Sequence, residues 1–250
     1  MPTIKLTLEY DGRNFHGWQH QPHLRTVQGE LESALAAVTG GVVRVTAAGR
    51  TDAGVHAMGQ VASVTTRALL PPHAWARALN NRLPPDLAVL RAEAAPRGFD
   101  ARRSATGKTY DYRIWRRPVR PALEAGRAWH WPHPLDLRVM RAAARRLIGR
   151  RSFAGFQNAD PRRSADRSTI CRLRACRIIE QPPWLMIRLD ADRFLYKMAR
   201  TIVGTLVEIG RGRWPPARID EIVASGDRRL AGPPAPAAGL YLVRVYYLHS

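Results

Sequence analysis

One order of elements runs through this chain twice: strand, helix, strand, strand, helix, strand. Ile4, Leu6, Leu8 and Tyr10 alternate with Lys5, Thr7 and Glu9, the period of a half-buried strand, which Asp11-Gly12 ends. Thr26 caps a helix whose apolar stripe is Val27, Leu31, Ala34, Leu35 and Val38, stopped by Gly40-Gly41. Val42 to Ala47 and Gln60 to Thr66 read as strands. Pro71-Pro72 opens a helix bearing Trp75, Ala78 and Leu79, Leu83-Pro84-Pro85 closes it, and Leu87 to Ala94 is a fourth strand.

The second half repeats the plan. Lys108 to Trp115 alternates as a strand, and Asp136 caps a helix with Leu137, Met140, Leu147 and Ile148 on one side. Ile170 to Ile179 and Leu185 to Leu189 form a hairpin around Pro182-Pro183. Leu195 to Ile209 is a helix closed by Gly210, a short helix runs near Pro216 to Ala224, and Leu240 to Tyr247 is the closing strand. The division falls near Phe99 to Thr106. The expected fold class is α+β: two tandem ferredoxin-like subdomains, residues 1–103 and 104–250, forming a mainly antiparallel sheet with flanking helices.

Charge bounds the partner. A net charge of +20 over 250 residues, almost all of the cations arginine, suits a polyanion, and nucleic acid is favoured over a membrane surface. No apolar run reaches the ~18–20 residues of a membrane span. The start, Met1-Pro2-Thr3-Ile4-Lys5, lacks a signal-peptide pattern, so the expected location is cytoplasmic. Cys171 and Cys176 make no disulfide framework; five residues apart on a strand, they are expected on opposite faces as ordinary thiols.

Between the second and third strands lies Gly49-Arg50-Thr51-Asp52-Ala53-Gly54-Val55-His56-Ala57. Loops on rigid scaffolds carry binding and catalytic groups, and this one gathers a cation, a hydroxyl, a carboxylate and an imidazole around two glycines. A neighbouring cation favours the ionised carboxylate, which makes Asp52 available as a nucleophile or base. Taken alone, the loop reads equally as a solvated turn. Metal-ligand patterns (H-E-x-x-H, paired C-x-x-C) are absent from the sequence, and so are the deaminase signature, the P-loop and G-x-G-x-x-G. On these patterns neither a metal site of those kinds nor nucleotide-cofactor chemistry is expected. Lys108-Thr109-Tyr110-Asp111-Tyr112-Arg113 puts two tyrosines on one strand face, able to stack on a base or to fill a core. Phe194-Leu195-Tyr196-Lys197-Met198-Ala199-Arg200 opens the longest apolar helix. Three segments read as flexible or ligand-facing, or else as solvated loops: Arg97 to Lys108, Asn158 to Ser168 and Leu230 to Gly239.

Together these motifs resemble the tRNA pseudouridine synthase A family, over nearly the whole chain. The nine-residue loop is similar to that family's signature. Tyr10-Asp11-Gly12 with Phe15-His16-Gly17-Trp18-Gln19, and Thr26-Val27-Gln28, resemble its N-terminus. The tyrosine strand, the basic helix and Gly239-Leu240-Tyr241-Leu242 complete the set, with Ala199 where a larger aliphatic residue is usual. The resemblance implies the pseudouridine synthase fold and an isomerase that converts uridine to pseudouridine at positions 38, 39 and 40 of the tRNA anticodon arm. It implies no cofactor, and a homodimer holding one tRNA across both subunits. Asp52 would be the catalytic aspartate, attacking either ribose C1′ or the uracil ring. Tyr110 would pack on the uracil as a candidate proton relay, and Arg200 would pair with Asp52. Arg50 would fill the space of the flipped base, and Leu240 would join the substrate-binding residues. His56 is left without a settled role, as loop organiser or backbone contact.

Two other classes compete. A non-catalytic RNA-binding protein would suit the arginines and aromatics but needs no Asp52. A glycoside hydrolase would need a second carboxylate in reach, where these motifs supply cations and tyrosine.

Overall fold

The computed structural model describes residues 1–68, 70–159 and 168–248. The arginine-rich run from Arg162 to Arg167, part of one segment expected to be flexible or ligand-facing, lies outside them. In chain order the first elements are β1 (Thr3–Tyr10), α1 (Val27–Thr39), β2 (Val45–Ala47), β3 (His56–Thr65), α2 (Pro72–Asn80) and β4 (Leu87–Ala94). They are followed by β5 (Ala105–Trp115), β6 (Trp129–His130), α3 (Leu137–Leu147), β7 (Gly149–Ser152), β8 (Ile170–Gln181), β9 (Trp184–Ala191), α4 (Met198–Gly210), α5 (Arg218–Ser225) and β10 (Leu240–Tyr247). The result is an α+β protein of mainly antiparallel sheet, in two compact units: Met1–Thr106 with Tyr241–Ser250, and Gly107–Leu240.

In the first unit β1 is the centre of three antiparallel strands in the order β4-β1-β3, and β2 adds to β3. That is the order 4-1-3-2 of the ferredoxin-like pattern. The alternation read in β1 is real: Ile4, Leu6, Leu8 and Tyr10 are buried. Thr26 caps α1 by accepting from the Gly29 amide at 3.2 Å, and the helix stops at Gly40, whose φ is +73°. Val27, Leu31 and Leu35 from α1, with Trp75 and Leu79 from α2, are wholly buried. Burying each such side chain contributes about 1.5–3 kcal/mol.

By sequence order β10 falls with residues 104–250, yet its residues from Tyr241 on group with the first unit. The reason is pairing: Tyr241 and Leu242 run parallel to His56 and Ala57 at the start of β3. A lone strand at the far end of a sequence carries no signal of which half will bond it. Residues 99 to 103, inside a segment expected to be flexible or ligand-facing, are also tied down in this unit. The Ala101 amide donates to Ser63 Oγ at 3.0 Å, Tyr247 donates to the Ala101 carbonyl at 2.8 Å, and Asp100 accepts from the amides of Arg102 and Arg103.

In the second unit the antiparallel order is β5-β9-β8-β7, with β6 parallel to β5. Asp136 caps α3 through the Val139 amide, as its position predicts. Ile148 leaves the expected stripe: it is the extended residue that ends α3 and is exposed. Asp111 is buried on β5 and meets Arg188, its register partner on β9, through two 2.7 Å hydrogen bonds. The cysteines depart from expectation. A bulge between Leu173 and Ala175 shifts the phase of β8 by one residue, so that Cys171 and Cys176 are both buried.

Candidate active site

The loop that carries Asp52 is shorter than its motif. β3 already begins at His56, and the true connection runs from Ala48 to Val55. Its turn closes with the Val55 amide on the Asp52 carbonyl at 3.1 Å, and Gly54 takes a φ of +78° that other residues rarely adopt. Asp52 is half-buried and Arg50 is exposed.

What holds this loop comes from the Asp11 to Trp18 stretch. The Trp18 amide donates to the Thr51 carbonyl at 3.0 Å, and Gly54 donates to the Phe15 carbonyl at 3.4 Å. The approach is too close for side chains. A β-carbon on Gly12 would lie 2.1 Å from the Val55 carbonyl oxygen, and one on Gly17 would lie 2.7 Å from that of Thr51, at a φ of +86°. Both glycines stood in the sequence motif, but only the fold shows that they are clasps.

Beneath the loop, Tyr10 and Thr51 share a 2.8 Å hydrogen bond, and the Gln60 side chain donates to the Gly49 carbonyl at 2.7 Å. Burial raises the Tyr10 phenol from 10.0 to about 12, against the hydrogen bonds from Thr51 and Gln60, which lower it. An acid whose folded pKa is raised stabilises the fold while protonated, and that contribution is lost as pH rises from 10 through about 12. We expect Tyr10→Phe to show a shallower loss of stability across that window than the native chain, read from urea midpoints at successive pH values. Parallel profiles would remove Tyr10 as a contributor.

The remaining expected residues lie in the second unit. Tyr110, buried on β5, meets the edge of Phe194 with centroids 4.9 Å apart. Arg200, half-buried at the start of α4, donates through Nε to the Ala235 carbonyl at 2.7 Å and accepts the Ala235 amide on its own carbonyl at 3.0 Å. The expected helix began at Leu195; Lys197 instead takes a φ of +57°, and the helix starts after it. Leu240 is buried where β10 begins.

Two features of this unit escaped the sequence. The Pro/Ala-rich segment from Leu230 to Gly239, expected to be flexible or ligand-facing, is a strap laid along α4. The Gly232 amide donates to Thr205 Oγ1 at 2.9 Å, and Pro233 presses on Gly204 so closely that a β-carbon there would sit 1.8 Å from its carbonyl oxygen. The second is the anchor made by Tyr112: the ring fills the core, one of the two readings of its strand, and its hydroxyl donates to the Pro236 carbonyl at 2.7 Å. Burial pushes its phenol well above 10.0, and the charge of Arg200 opposes that shift. Among the described residues no three His, Cys, Asp or Glu side chains gather as a metal cluster.

Comparison with known proteins gives this arrangement its context. A family model described as tRNA pseudouridine synthase matches residues 7–102 and 143–248. The tRNA pseudouridine synthase A of Syntrophomonas wolfei is 43% identical over 247 residues, covering 99% of this chain and 98% of the relative. That of Moorella thermoacetica is 45% identical over 250 residues, covering 99% and 100%. That of Geobacter sulfurreducens is 44% identical over 247 residues, with the same coverage. A match that takes in the clasped Asp52 loop, the tyrosine strand and the basic helix at such identity leaves one assignment: the chain belongs to the tRNA pseudouridine synthase family.

Proposed function

We propose that this chain isomerises uridine to pseudouridine at positions 38, 39 and 40 of the tRNA anticodon stem-loop. The observation that carries the reading is the Asp52 loop: a half-buried carboxylate on a turn that two glycine clasps and a buried tyrosine hold in place. Catalysis needs that kind of fixed geometry.

In this reading Asp52 is the catalytic carboxylate. It adds either to ribose C1′, displacing the base, or to the uracil ring. The freed base turns, C5 bonds to C1′ in place of N1 as the bond to Asp52 breaks, N1 takes up a proton, and the C5 proton leaves. Tyr110 packs on the uracil and is the candidate relay for that proton; Arg200 pairs with the aspartate; Leu240 belongs to the binding surface. A stacked target must first be flipped out at a cost of a few kcal/mol, and exposed Arg50, two residues before Asp52, would fill the gap. The net charge of +20 suits the RNA backbone. The reading also makes the enzyme a cytoplasmic homodimer acting without a cofactor. No helix among the described residues is long and apolar enough to cross a membrane.

The test is direct. Incubation with unmodified tRNA, followed by carbodiimide treatment and primer extension, should place new stops at positions 38 to 40. No stops there, with the protein folded and in excess, would end the reading.

A further inference from the structure

His56 is the one titratable side chain of the loop motif that the proposed chemistry leaves unused, and its surroundings in the first unit are specific. It is 2% exposed. Its ring stacks on Tyr241, centroids 4.6 Å apart and planes 14° apart, across the parallel pairing of β3 and β10. Nδ1 accepts the Gly12 amide at 3.1 Å and also lies 3.2 Å from Asp11 Oδ1.

These two contacts make opposite demands on Nδ1. The amide is a permanent donor and needs a lone pair there, whereas a hydrogen bond to Asp11 needs a proton there. The amide decides it, because a buried N–H left without an acceptor costs about 1–3 kcal/mol, while Asp11 already accepts from Arg13 through Nε at 3.0 Å and through its terminal nitrogen at 2.7 Å. The imidazole is therefore the neutral tautomer with its proton on Nε2.

Gly12 is also the clasp pressed against the Val55 carbonyl, and the Val55 amide closes the turn on Asp52. We infer that His56 is a positioning residue. Its Nδ1 lone pair, aimed by the Tyr241 ring, fixes Gly12, and Gly12 sets where the Asp52 turn stands. His56 neither touches RNA nor transfers a proton.

This rests on the proposed function, and the test separates the two. Asparagine carries an acceptor oxygen at the δ position, where Nδ1 lies, and glutamine carries the same group one bond farther out. His56→Asn should keep kcat on tRNA within about threefold of the native enzyme. His56→Gln should lower it about tenfold or more, since a displacement near 1 Å can cost about a hundredfold, with KM within about twofold in both. Equal kcat in the two variants, high or low, overturns the inference, as does a rise in KM with kcat unchanged. Should either variant fail to fold, Tyr241→Leu, which removes the stacked ring, should lower kcat with KM held; an unchanged kcat overturns the inference. Native turnover of tRNA tests the function itself, whatever the variants do.

Discussion

Asp52→Asn should abolish pseudouridine formation, lowering single-turnover release of tritium from C5-labelled uridine in tRNA by about a thousandfold or more. The amide keeps the shape of the side chain but has no oxygen able to act as a nucleophile. The scaffold should survive the change, because the main-chain and Thr51 contacts that seat the loop are untouched by it. The Trp18 amide still reaches Thr51, Gly54 still reaches Phe15, and Tyr10 still shares its hydrogen bond. Retention of tRNA on filters should accordingly stay close to native, and the melting temperature should move little. Activity above about a tenth of native in the asparagine variant would take the chemistry away from Asp52.

Gly204→Ala is the second large effect, and its sign is the reverse of what helix propensity alone suggests. Inside an exposed helix, alanine is favoured over glycine by about 1 kcal/mol. Here the new β-carbon would lie 1.8 Å from the Pro233 carbonyl oxygen and 3.1 Å from its carbon, backbone atoms that cannot rotate away. Relief requires the strap to lift, which breaks the Gly232 to Thr205 bond and frees Ala235 from Arg200. We expect a net loss of about 3 kcal/mol, at the upper end of overpacking costs, seen as a lower urea midpoint. Arg200 would lose the carbonyl that orients it, so activity should fall in the protein that remains folded. A variant as stable as native would mean that the strap is not seated as described.

How much of this was legible beforehand follows a physical line. Local signals were reliable: the alternation of β1, the Thr26 and Asp136 caps, the proline-bounded α2, and the loop between β2 and β3. Each depends on residues within a few positions of one another. Long-range pairings were not legible. The acceptor on His56 meets an amide 44 residues away, and no periodicity announces it. The strap failed for a related reason, since a Pro/Ala-rich run has the composition of a flexible linker unless a glycine on a neighbouring helix leaves room for it. The cysteines failed because one inserted residue in β8 reverses every face assignment after it. Of the proposed site, the motifs offer candidate residues, while the glycine clasps and the tyrosine beneath the loop are visible only in the fold.

The parallel pairing of β10 with β3 has a consequence for how the protein is made. Translation delivers the Asp52 loop early, then all of Gly107 to Leu240, and only afterwards the strand that begins at Tyr241. Until that strand leaves the ribosome, the first unit lacks a partner for the start of β3 and His56 lacks the ring it stacks upon. A chain that ends between Asp52 and Tyr241 holds the proposed catalytic aspartate but not the strand that supports the start of β3.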